Sequence, residues 1–129
     1  LEDEYAGIAI SDLLQTINKR LEKLLTKDHL IGHSYFLNVT SLEGLKFVFQ
    51  RKVIPLLQEY FYGDFGKIGL VLGIGFIEIV EDNGGENIFA KFNHYDANDF
   101  LEKPMYRLRN VMSLSDQEFE AALVSLMRK

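Results

Sequence analysis

The chain of 129 residues has no cysteine, which excludes disulfide staples, thiolate nucleophiles and thiolate metal ligands. It has no apolar run near the roughly 18 residues needed to span a bilayer, and its acidic opening, LEDEYAG, is unlike a signal peptide. Positive charge is in deficit. Fourteen Lys and Arg stand against nineteen Asp and Glu, a net charge of −5, which argues against a general affinity for nucleic acid, because phosphate binding relies on clustered cations. These absences lead us to expect a soluble, cytoplasmic protein with no membrane partner. A chain that opens on Leu1 without methionine is expected to be processed or cut from something longer. Its 47% hydrophobic content suffices for one real core.

Self-contained catalytic motifs are missing too. His29 and His33 are four residues apart, but Leu30 stands where a metalloprotease needs its Glu, Gly32 weakens a helix across the pair, and the only other histidine is His94. GDFGKIG is not a phosphate-binding P-loop: Gly63 and Gly66 are too close together, and Ile68 follows Lys67 where Ser or Thr would hold magnesium. GIGFIE fails the dinucleotide fingerprint, since Glu78 takes the third glycine position. No serine sits in a nucleophile-elbow spacing, and a His33–Ser34 pair bonded to its own turn is the plainer reading. The aromatic run EYFYGDF reads as core more readily than as a base-stacking platform.

What is present is a helical pattern followed by a β-prone one. SDLLQTINKRLEKLLTK repeats Leu13, Leu14, Ile17, Leu21, Leu24 and Leu25 at helical spacing, with Ser11 or Asp12 available as cap and Lys19, Lys23 and Lys27 aligned on a solvated face. Thr40 precedes Glu43 by three residues, predicting a capped start near Ser41 for a long, mostly buried helix. Pro55 predicts a kink or break around residues 51 to 54, because proline removes an amide donor and crowds the carbonyl of Arg51. FGKIGLVL suits one short helix. GFIEIV and NIFAKF, separated by Asn83–Gly84, predict a β-hairpin, with MYRLRNV as a third strand. Ser115 and Glu118 have capping-box spacing before a last helix whose inward stripe is Phe119, Ala122, Leu123 and Leu126. Helices first, strands later and a helix last make an α+β fold.

Two stretches then carry a resemblance. Ile31 to Phe36 reads IGHSYF and Ile54 to Phe61 reads IPLLQEYF, one helix apart, after INKRLEKLLTKDHL. This pattern closely resembles the C-terminal helical lid of the McrB-like AAA+ family, the nucleotide-hydrolysing motor subunits of modified-cytosine-dependent restriction systems. The likeness covers residues 1–72, implying a helical lid there and a hairpin-plus-helix extension over 73–129. It also implies an upstream AAA+ core in the same polypeptide that carries the P-loop, so the fragment alone holds no cofactor and is inactive. The intact protein would use GTP or ATP with Mg, form a homo-oligomeric ring, a hexamer, and work with a McrC-like nuclease on DNA bound through other domains. Gly32, His33, Ser34 and Arg20 become the candidate nucleotide-side residues, with Gly32 allowing close approach and His33 and Ser34 offering hydrogen bonds. The phosphate-sensing arginine of such lids is not found in its usual sequence setting. The residues alone leave His33 open between nucleotide contact and a purely structural turn. They also leave two other functions open: a non-catalytic protein-interaction module, and a small nucleic-acid binder using Lys19, Arg20, Lys23 and Lys27.

Overall fold

A computed structural model describes residues 3–80 and 88–128. The chain begins with a minimal antiparallel pair, β1 (Glu4–Tyr5) and β2 (Ile8–Ala9), with Tyr5 opposite Ile8. Ala6 and Gly7 both take positive φ, 55° and 75°, the pairing a two-residue hairpin turn of the primed type requires. β2 runs straight into α1 (Ile10–Leu24), so the N-cap is Ala9 and not Ser11 or Asp12; the hairpin delivers the chain in helical register before those side chains. Asp12 instead sits in the first turn, where a negative charge favours the helix dipole. Leu13, Leu14, Ile17 and Leu21 are buried, and Lys19 and Lys23 face outward. Lys27 does not continue their stripe, because α1 stops at Leu24 and Lys27 opens a separate 3-10 turn, Lys27–His29.

A second 3-10 turn, His33–Phe36, leads to α2 (Leu42–Val48). Its cap is Ser41, whose hydroxyl accepts from the Gly44 amide at 3.0 Å, rather than Thr40. The expected interruption before Pro55 takes the form of a π turn over Phe49–Val53, after which α3 (Ile54–Tyr60) starts with the proline in its first turn. Widening the helix there accommodates a residue that has no amide to give and whose ring would collide with the preceding turn. α3 ends through Tyr62 and Gly63, both left-handed, with the Gly63 amide bonded back to the Gln58 carbonyl at 3.1 Å. Asp64 then caps α4 (Phe65–Leu72), the short helix expected from FGKIGLVL.

β3 (Ile77–Val80) follows. Its partner, however, is not NIFAKF. The Asn83–Gly84 turn lies outside the described residues, and residues 88–92 form no strand; Ile88 and Phe92 are exposed. After a single-turn helix, α5 (Asn98–Leu101), the chain returns as β4 (Met105–Leu108) to pair antiparallel with β3, Ile77 opposite Leu108 and Val80 opposite Met105. This register buries Ile77 and sets Glu78 within 3.5 Å of Arg107 and 3.7 Å of Arg109. α6 (Asp116–Met127) closes the chain on a complete capping box between Ser115 and Glu118, with Phe119, Ala122, Leu123 and Leu126 buried as expected. The fold is α+β: a helical bundle with two small antiparallel sheets.

One apolar core runs from Leu13 to Leu126. At its centre Phe49 stacks on Phe76 at 5.0 Å and meets Phe119 and Phe36 edge-on at 6.0 and 6.4 Å. Two cations fasten the ends of α6 to the bundle. The Lys46 ammonium, only 4% exposed, donates to the Leu114 carbonyl at 2.9 Å and to Asp116 at 3.0 Å. The Arg20 guanidinium bridges the Val71 carbonyl at 2.7 Å and the Arg128 carbonyl at 2.9 Å, beyond the last turn of α6. Between these ends, Gly75 packs directly on Ala122.

Candidate functional site

The IGHSYF stretch is held from both sides. Ile31 is buried and Phe36 reaches the Phe49 ring, so the segment is pinned at its two ends while Gly32, His33 and Ser34 between them are exposed. From α1, the Asn18 side chain takes both backbone groups of Ile31: its Oδ1 accepts from the amide at 2.7 Å and its Nδ2 donates to the carbonyl at 2.9 Å. The result is an ordered but solvent-facing edge. His33 and the outer face of α1 (Ser11, Asp12, Gln15, Asn18, Lys19 and Glu22) enclose an open groove of about 500 Å³.

Nothing among the described residues requires glycine at position 32. Its φ of −81° is accessible to any residue, and an added Cβ would meet only the Ser34 hydroxyl, at an ordinary 3.8 Å. Among the described residues nothing else lies within 4 Å of that added Cβ. Arg20 is not brought to this edge: two helical residues turn roughly 200° about the axis, which puts it on the flank of α1 opposite Asn18. There it is committed to the two carbonyls of α4 and α6, and burial lowers its pKa while leaving it a cation.

His29 and His33 play separate parts. His29 Nδ1 lies 2.9 Å from the Thr26 hydroxyl, and its ring meets Tyr60 edge-on at 4.9 Å. Among the described residues no three His, Cys, Asp or Glu side chains are grouped to hold a metal ion. The aromatic run EYFYGDF is divided as well, with Phe61 in the core and Tyr62 96% exposed.

A family model described as McrB, alpha-helical lid domain, matches residues 9–69, from the last residue of β2 into α4. Residues 9–69 are a McrB-like α-helical lid. That match covers a little under half of the chain. No curated protein gives a significant match. The lid's match stops inside α4, whereas the core it belongs to continues through Phe76, Val111 and Phe119 to Leu126. No helix among the described residues is long and apolar enough to cross a membrane.

Three polar residues that organise the lid escape a reading of local patterns: Asn18, Lys46 and Gln50, whose Oε1 accepts from the Val111 amide at 2.7 Å. Each looks locally like a solvated helix position. The one signal in the sequence is that Asn18 directly follows core residue Ile17, on the border of the apolar stripe.

Proposed function

We propose that this lid closes over a nucleotide held by the AAA+ core of the intact protein, with Gly32, His33 and Ser34 as the edge that meets it. The observation that carries the reading is Gly32: an ordered, exposed backbone position left bare where neither conformation nor internal packing asks for glycine. A bare backbone lets a ligand come within hydrogen-bonding distance, and His33 and Ser34 add side-chain donors and acceptors beside it. The groove next to them carries Asp12 and Glu22 against Lys19, a balance that disfavours a triphosphate. The lid edge thus suits the base or ribose of GTP or ATP, with phosphates and Mg left to the core. Arg20 contributes indirectly by holding α1, α4 and α6 together. In the intact protein this closure would couple hydrolysis around a homo-oligomeric ring, a hexamer, and serve DNA restriction with a McrC-like nuclease in the cytoplasm.

The test uses the intact protein. Gly32→Val and His33→Ala are each expected to lower NTP turnover about tenfold, the equivalent of one lost charge- or dipole-directed hydrogen bond, while the melting temperature stays within a degree or two. Turnover equal to wild type in both variants refutes the nucleotide edge.

A second reading, a protein-interaction module, rests on a different face. Leu70, Ile74, Ile79 and Tyr106 border an apolar groove of about 180 Å³ between α4 and the β3–β4 pair, and the first three are more than half exposed. Turnover that survives edge substitution but falls with Leu70→Asp would favour it.

A further inference from the structure

We infer that Asn18 is the positioning residue of the Gly32–Ser34 edge; the inference rests on the nucleotide-facing reading of that edge. The carboxamide of Asn18 engages the Ile31 amide and carbonyl together, at 2.7 and 2.9 Å, across thirteen residues of chain. This is a single rung of a strand ladder, supplied by a side chain. It fixes the chain's direction at the last buried residue before the edge, where the Ile31 side chain enters the core at 2% exposure and the next residue, Gly32, is in solvent.

The chemistry asks for asparagine in particular. The site presents one donor and one acceptor side by side, and a planar primary amide answers both from one rotamer. Aspartate keeps the acceptor for the Ile31 amide but places a second oxygen against the Ile31 carbonyl. Serine reaches one partner at most, and leucine leaves both backbone groups unpaired in a partly buried site. Asn18 also lines the groove that His33 borders, two residues beyond the Ile31 backbone it holds. The Tyr35 amide bonds locally, to the Gly32 carbonyl at 3.3 Å, and so does not fasten the edge to α1. Without Asn18, the edge would keep its side-chain anchors at Ile31 and Phe36 but lose its backbone tie to α1.

Two measurements test this, and they fail separately. In the chain itself, Asn18→Leu and Asn18→Ala, which leave both Ile31 backbone groups without a side-chain partner, are compared with wild type by amide hydrogen exchange. Exchange at Ile31 is expected to rise at least about tenfold, the loss of roughly one hydrogen bond, while the amides of Leu21 and Phe49 remain as protected as before. Unchanged Ile31 exchange overturns the inference. So does loss of protection throughout α1, which would make Asn18 a general stabiliser. In the intact protein, Asn18→Asp is expected to lower NTP turnover by about the same factor as His33→Ala, and the double variant to fall no further than the worse single one. Effects that multiply overturn the positioning role. If His33→Ala alone leaves turnover at wild type, the nucleotide reading is what fails, and the Ile31 exchange result still decides whether Asn18 anchors the edge.

Discussion

Gly75→Ala isolates the packing that seats α6. A Cβ at Gly75 would lie 2.5 Å from both Cα and Cβ of Ala122, against the 3.5–4.0 Å at which carbon atoms rest. The overlap is about an ångström or more, and one of the two atoms belongs to the backbone of a helix, which no rotamer change can move. Overpacking of this kind costs about 1–3 kcal/mol, and the upper end applies where backbone must shift. Replacing glycine also stiffens the unfolded chain, an opposing gain of about 0.4–1 kcal/mol. The net expectation is a loss of roughly 2 kcal/mol, equivalent to about 8 °C in melting temperature for a domain of this size. Calorimetry with a check for two-state behaviour measures it. Adding Ala122→Gly is not expected to restore stability, because the clash with the helix backbone persists and a mid-helix glycine costs about 1 kcal/mol. A Gly75→Ala variant melting within about 2 °C of wild type would refute the close packing of α6 on this turn.

Further consequences can be measured in the same way. Lys46→Met keeps the volume but strands the Leu114 carbonyl, and is expected to cost about 1–2 kcal/mol in urea unfolding; a variant as stable as wild type would mean that burying the ammonium offsets its hydrogen bonds. Arg20→Met removes both carbonyl contacts, so amides in the last turn of α6 are expected to exchange faster than those near Phe119, and uniform exchange along α6 would contradict the clamp. Glu118 is held below the usual carboxylate range, first by the Ser115 amide, then by the Ser115 hydroxyl. A depressed folded-state pKa contributes stability above the unfolded value of about 4.3 and loses it as pH falls through the folded one. Glu118→Gln is therefore expected to melt below wild type at pH 7 and to converge with it in acid; a difference independent of pH would dismiss the capping carboxylate as the cause.

Local signals were legible where the physics is local. The stripe from Leu13 to Leu21, the α4 segment, the break before Pro55 and the Ser115–Glu118 box depend on neighbours within four residues, and all are found in place. The hairpin partner was not legible. Asn83–Gly84 is a strong turn signal between adjacent β-prone runs, but a strand is chosen by what it can bury and pair with. MYRL supplies Leu108 beside the core and Arg107 for Glu78, while Ile88 and Phe92 of the nearer run stay in water. The candidate edge was legible only as a run of neighbouring residues. Gly32, His33 and Ser34 are exposed between buried Ile31 and Phe36, whereas Arg20 is on the far flank of α1, and the part played by Asn18 depends on Ile31, thirteen residues away. Lys46 shows the same limit, since its partners are 68 and 70 residues away.

The three phenylalanines around Phe49 have a mechanical consequence. Phe36 ends the turn that follows Gly32, Phe76 precedes β3, and Phe119 rides on α6, so three distant stretches of chain meet on one ring. Close-packed rings transmit displacement with little compression. The turn that carries His33 and the residue that leads into β3 therefore bear on the same ring, a short mechanical path between two parts of the chain far apart in sequence.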